Sequence, residues 1–262
     1  MTTLVEQYNC LPLVTEAHRL AEGQAAARLR LCAIVAKYNL SNKFGVRLIH
    51  KHFDMQSDEV PVFRDVNIEG ICSAIFMGPM KPDAKTVLCG KNFLVDKSGR
   101  LVPYEFTTTP TDDPASYQEF VGEFTREVHN SSASDVLGLC TNPKQYSESY
   151  TEFELPAIKS TVMVPSKMVP VADSDTSMTT NWIADQEPAP ADNCVITRSE
   201  KHHGLQCMST RNGHYKHSSR RSEPKDESFE SNEPDDLLHP VQQALRDPLS
   251  PLFQVVRTIG VM

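Results

Sequence analysis

The chain has no run approaching the roughly 20 consecutive apolar residues that a membrane-spanning helix requires. Its opening stretch, MTTLVEQYNCLPLVTEAHRL, carries Glu6 and Glu16 and no apolar core, which is not the pattern of a secretory signal. No G-x-S-x-G elbow, H-E-x-x-H pair or P-loop is present, so the common serine hydrolases, zinc peptidases and P-loop nucleotidases are not indicated. Apolar residues make up 39%, below the roughly 45–50% of an average globular chain, and Trp182 is the only tryptophan. Glycine is scarce, 11 residues against 18 prolines, which points to a folded part diluted by loops or tails. The net charge of −8 speaks against a protein that binds nucleic acid by phosphate attraction, so nucleic acid is not an expected partner. Seven cysteines, an odd number spread along the chain, fit a reducing compartment, and the Asn39 and Asn130 sequons then carry no meaning. A soluble cytoplasmic protein is expected, with the nucleus as the alternative.

At 262 residues the chain is long enough to bury a core without disulfide staples. QAAARLRLCAIVAKYNL, residues 24–40, has high helix propensity, with Leu29, Cys32, Ala33, Ala36 and Leu40 at helical spacing. After a break at SNK (41–43), FGVRLIHKHF reads as a second helix with Val46, Ile49 and Phe53 on one face, giving an αα-hairpin. The period then changes to two. EVPVFRDVNIEG, ICSAIFMG and KTVLCG read as strands, and NFLVDKSGRLVPYEFTTT reads as a hairpin turning at residues 96–99. DDPASYQEFVGEFTREVHNS reads as a helix capped by Asp112 or Asp113, with Pro114 in its first turn. Its apolar stripe is Phe120, Val121, Phe124 and Val128; Glu119, Glu123 and Glu127 form a solvated face. DVLGLC and STVMVPSKMVPV add short strands, the second placed at a sheet edge by Pro165 and Pro170. From about Ala172 the composition turns polar, and Trp182 is followed by a proline-broken loop. The expected fold is α+β: an N-terminal helical hairpin packed on a mostly antiparallel sheet, with a disordered acidic C-terminal region. The expected organisation is one domain over 10–217, an acidic linker over 218–240 and a short apolar segment over 241–262.

The densest cluster of metal-ligating side chains is late. KHHGLQCMSTRNGHYKH, residues 201–217, holds four of the nine histidines, and Cys194 lies upstream. Cys194, Cys207, His214 and His217 give the spacing C-x12-C-x6-H-x2-H, with His202 and His203 as substitutes. Zinc asks for four N or S donors, usually from two close pairs. The histidine pair is close and the cysteine pair is not, so a zinc site and a metal-free histidine-rich loop both remain open. The basic charge of this stretch is offset by its neighbour: residues 195–221 carry six Lys/Arg and one Glu, and residues 222–236 carry seven Asp/Glu and one Lys.

Elsewhere, His50 and His52 in the predicted second helix would not share a face, since positions i and i+2 diverge on a helix. Cys32 and Cys140 read as core, and Cys72 and Cys89 as strand residues. His50 or His129 could serve as a general base if a pocket opens between helices and sheet. The segment AKYNLSNKFGVRLIHKHFDMQSDEV, together with the later stretch bearing Trp182, Cys194, Cys207 and GHYKH, resembles a group of filamentous-fungal (ascomycete) proteins. Those proteins share an "LIHKHF"-type segment before a run of strands and a late Cys/Cys/Gly-His segment. The resemblance brings no activity with it. It implies a cytosolic fungal protein linked to an accessory or secondary-metabolite gene cluster. The expectation is therefore a non-catalytic accessory or interaction protein, with the 241–262 segment as a contact for a protein partner. The alternatives are a small zinc-stabilised domain built on Cys194–His217 and an enzyme with a histidine base; zinc is the one cofactor expected, if any.

Overall fold

The computed structural model describes residues 3–68, 72–141, 150–155, 158–165, 176–183, 189–197 and 206–209, with Leu249 and Arg257 beyond them. The acidic linker and the rest of the C-terminal segment lie outside the described residues.

Among the described residues, four α-helices and eleven strands form an α+β fold. The helices are α1 (Leu4–Asn9), α2 (Val14–Ala21), α3 (Ala25–Lys37) and α4 (Gln118–Asn130). The strands are β1 (Phe44–Leu48), β2 (Val60–Ile68), β3 (Cys72–Met80), β4 (Cys89–Val95), β5 (Leu101–Thr107), β6 (Leu137–Thr141), β7 (Tyr150–Leu155), β8 (Ser160–Pro165), β9 (Thr176–Ile183), β10 (Ala189–Thr197) and β11 (Gln206–Ser209). They lie in the order β11-β10-β7-β8-β3-β2-β5-β4-β6-β1-β9, and β9 pairs again with β10. The hydrogen-bonded ladder thus returns on itself, with β11 hanging outside the ring on β10. Pairings are antiparallel except β2–β5 and β7–β10, which matches the expected mostly antiparallel sheet.

The strongest local signals form as expected. A register of nine pairs joins β2 to β3. The β4–β5 turn closes where Asp96 accepts hydrogen bonds from the amides of Ser98 and Arg100, and Gly99 takes φ +78°, a backbone region that favours glycine. Asp113 caps a short 3₁₀ turn at Pro114–Ser116 that leads into α4. Asp112 instead pairs with Lys43 at 2.8 Å.

Four expectations need correction. Residues 44–48 are a strand, not a helix. The helical spacing of Val46, Ile49 and Phe53 competes with a period-two pattern, Phe44, Val46 and Leu48, and the second buries more completely. The helical hairpin is therefore made by α2 and α3. On α3 the core face is Ala27, Leu31, Cys32 and Val35, while Leu29 is exposed; alanine tolerates either face, so periodicity alone left the stripe underdetermined. β8 is internal, between β7 and β3, because Pro165 ends the strand rather than interrupting its ladder. Thr176–Ile183 is a strand, and Trp182 is core rather than part of a loop.

The ring has two sides with different chemistry. On the outer side, Phe44, Val46, Leu48, Phe93, Val95, Leu137, Leu139 and Trp182 pack under α3 and α4. Phe120, Phe124 and Val128 of α4 supply the facing apolar stripe. The helices are also joined by the exposed pairs Arg30–Glu127 and Lys37–Glu123, both 2.6 Å, so Glu123 and Glu127 are not a simple solvated face. Such surface pairs contribute little each. The apolar layer carries the attachment.

Close approach of β6 to β4 requires Gly138, where a Cβ would come 2.1 Å from the carbonyl oxygen of Phe93. Gly138→Ala is expected to destabilise the fold by about 1–3 kcal/mol through forced backbone movement. Gly122 in α4 has open space where its Cβ would lie, so Gly122→Ala should be neutral or stabilising by about 0.5–1 kcal/mol. Urea unfolding of both variants against the parent checks the contrast.

Candidate functional site

The inner side of the ring collects charges. In β1, where Phe44, Val46 and Leu48 turn outward to the helices, the alternate residue Arg47 faces inward. It pairs in register with Gly138 of β6 and Asn181 of β9. Asn92 of β4, Glu105 of β5, and Glu152 and Thr161 of β7 and β8 are also buried. Their register places Asn92 opposite Cys140, and Cys140 Sγ donates to Asn181 Oδ1 at 3.0 Å.

An irregularity between β4 and β5 shapes the centre. Regular pairing would set Tyr104 opposite Asn92; the register shift sets Glu105 there instead. Consecutive residues, Tyr104 and Glu105, are consequently both fully buried in the cluster. Asn92 Nδ2 donates to Glu105 Oε2.

His50 and His52 follow β1 on either side of Lys51, which bridges to Leu13. Their rings meet edge to face with centroids 4.8 Å apart. The sequence reading kept them apart only because it placed them on a helix. Their environments differ sharply. Nδ1 of His50 is 2.9 Å from the carbonyl oxygen of Leu48. A carbonyl only accepts, so Nδ1 carries the proton and Nε2 presents a bare lone pair. Burial, reinforced by His52 and Arg47, holds the His50 pKa well below the usual histidine range, so the ring is neutral. His52 faces carboxylates from both nitrogens: Nε2 is 3.3 Å from Glu152 Oε1 and Nδ1 is 3.2 Å from Glu154 Oε1. Burial alone would lower its pKa. Glu152, Glu154 and Glu105 overcome that and raise it, which favours the imidazolium. Glu152 also accepts from Thr161 Oγ1 at 2.9 Å.

Burial raises the pKa of Glu105, against the opposing pull of Arg47, His52 and Asn92. Burial and then Glu105 push the phenols of Tyr8 and Tyr104 well above their ordinary value, so both stay protonated. Tyr8 comes from α1, whose first turn is closed by a capping box between Thr3 and Glu6. The end of α1 is fastened to the ring. Asn9 Nδ2 donates to Met55 O at 2.9 Å, Met55 N–H donates to Asn9 Oδ1 at 2.7 Å, and Lys51 Nζ donates to Asn9 O. This attachment holds Tyr8 in place, with its ring 6.5 Å from that of Tyr104.

Six atoms of this cluster are buried without a well-formed hydrogen bond: Tyr8 Oη, Arg47 Nε, His50 Nε2, His52 Nε2, Tyr104 Oη and Glu105 Oε1. Buried polar groups normally find partners, and each left open costs about 1–3 kcal/mol. Among the described residues, no group of three or more His, Cys, Asp or Glu side chains converges as a metal site.

The other sequence candidates lie elsewhere. His129 is exposed at the end of α4, and His18 is half-buried on α2. Cys32 and Cys140 are buried, as expected of core residues. Of the predicted zinc ligands, Cys194 and Cys207 lie on the paired strands β10 and β11, where Cys194 is opposite Ser209 and Cys207 opposite Ile196. His214 and His217, and the substitutes His202 and His203, lie outside the described residues. The sequence signal that marks the inner cluster is a charged residue within a strand that is otherwise largely apolar: Arg47 in FGVRL, Glu105 in LVPYEFT, Glu152 and Glu154 in YTEFEL.

The two histidines should titrate in opposite senses. Below about pH 6.5 the unfolded chain takes up a proton that folded His50 refuses, so stability falls with pH on that limb. The His52 contribution is complete below about pH 6.5 and is lost as pH rises through its raised folded value. Urea midpoints measured between about pH 5 and 9 are expected to show a flatter acid limb in His50→Gln and a flatter alkaline limb in His52→Gln. No protein family matches the chain, and no curated protein and no solved structure is similar to it.

Proposed function

We propose that the ring interior is a small-molecule site at which His50 acts as a general base. The observation that carries this reading is the buried, unpartnered Nε2 of His50, whose lone pair is fixed in place by the Nδ1–Leu48 hydrogen bond. A network serving stability alone would close its own hydrogen bonds, because a half-satisfied buried network is worse than an apolar core. The surrounding groups suit proton abstraction. His50 takes a proton at Nε2 from an O–H or C–H. Tyr8 and Tyr104 donate to the oxygen on which negative charge develops. The protonated His50 then returns the proton from Nε2. Arg47 and His52 balance the carboxylates around them and hold the geometry. Of the two expected bases, His50 is preferred over the exposed His129.

A thermal-shift screen of small polar compounds on the full chain tests this. Compounds are expected that raise the melting temperature of the parent protein by binding the folded state and do so much less in His50→Gln, with that variant's circular dichroism unchanged. The reading fails if no compound stabilises the protein in a His50-dependent way.

A zinc-stabilised C-terminal hairpin is a second reading, favoured by the β10–β11 register. That register sets Cys194 and Cys207 at diagonal positions of neighbouring strands. Elemental analysis is expected to find stoichiometric zinc, with a lower melting temperature in chelator and in Cys194→Ser. Metal-free protein with a chelator-insensitive melting temperature would end this reading.

A further inference from the structure

The open hydrogen-bonding positions of the inner cluster, taken with the wall beside it, name a class of ligand. This step rests on the interior being the site proposed above. Each carboxylate already has a cationic neighbour: Arg47 interacts with Glu105 and Glu152, and His52 lies between Glu152 and Glu154. An anionic ligand would be desolvated next to three carboxylates. A cationic one would compete for carboxylates that Arg47 and His52 already hold. Neither finds an unpaired opposite charge to offset its burial.

Half of what stays open is neutral capacity; the other open atoms, Arg47 Nε, His52 Nε2 and Glu105 Oε1, belong to groups that already face opposite charges. His50 Nε2 accepts, and the hydroxyls of Tyr8 and Tyr104 donate. A hydroxyl on the ligand satisfies the first, and a carbonyl oxygen satisfies the second.

The wall beside these groups is apolar. Phe63, Ile75, Met77 and Met163 form one buried cluster. Met163 is directly opposite Glu152 across β7–β8, and Met77 is opposite Thr161 across β3–β8. Polar floor and apolar wall therefore meet within one pair of residues. Phe53 packs against this cluster and also against the one containing Tyr8 and Tyr104. A ring of ten strands is wider than the eight-stranded barrels whose interiors side chains just fill.

We infer that the interior takes an uncharged amphiphile, a compact hydroxy-carbonyl compound on an aromatic or aliphatic body. Its hydroxyl is seated at His50, its carbonyl oxygen toward Tyr8 and Tyr104, and its body against Met77 and Met163.

Four probes on the full chain test the class by isothermal titration: 4-hydroxyacetophenone, the anion 4-hydroxybenzoate, the cation tyramine, and xylitol, which is uncharged but lacks an apolar body. The ketone is expected to bind with a Kd at least about tenfold below the other three, a difference of about 1.4 kcal/mol. Met163→Gln is expected to weaken the ketone by a similar factor. The order of the four probes on the parent protein decides the matter even where that variant fails to fold. Equal or tighter binding of benzoate, tyramine or xylitol overturns the ligand class, as does failure of all four to bind. A preference for benzoate that still depends on His50 overturns the class alone and leaves the base standing. Binding undiminished in His50→Gln overturns both.

Discussion

The guanidinium of Arg47 sits inside a closed sheet, and that buried charge constrains everything around it. Removing such an ion from water costs several kcal/mol, and only opposite charges close by can compensate. Glu105 and Glu152 supply that compensation from two other strands. Their own burial raises the stakes. Each carboxylate needs donors, which arrive as Asn92 for Glu105 and as Thr161 for Glu152, with the His52 ring 3.3 Å from Glu152 as a counter-charge. The arrangement spreads across β1, β4, β5, β7 and β8, so those strands cannot change register independently. A slip of one residue in β1 would carry Arg47 into the apolar layer under α3 and α4.

The same constraint separates the two histidines. They are two residues apart and touch ring to ring, yet one is neutral and the other is favoured as a cation. The difference is geometric. His52 has a carboxylate at each nitrogen, whereas His50 has a backbone carbonyl at one and nothing well placed at the other. Once His52 holds its proton, it helps to deny one to His50. Burial first, and then the charge favoured on His52, keep the adjacent lone pair available.

Local elements were legible in the sequence where a single pattern acted. The α4 stripe and the turn at residues 96–99 each depend on neighbours within a few residues, and they form as the spacing indicates, whereas Asp113 caps the 3₁₀ turn before α4 rather than α4 itself. Residues 44–53 were misread because two periods fit the same letters. What decided between them was an outer layer of side chains contributed by α3 and α4, which the segment itself does not contain. The candidate site was legible only in part. His50 could be named as a base. Its setting could not, because Glu105, Glu152 and Tyr8 come from distant parts of the chain and meet through non-local pairing. Glu105 additionally depends on a register shift that leaves no mark in LVPYEFT.

The seam of the ring has a consequence for the chain as it is made. β9 and β10 close the ladder by pairing with each other and with β1 and β7. They are among the last described segments, so a nascent chain emerging from the ribosome must release about 197 residues before the interior can leave water. Until then Arg47, His52 and the glutamates remain hydrated and bear no burial cost. The dehydration of the whole cluster is deferred to one late event, the docking of β9 and β10, by which time every partner charge is already present.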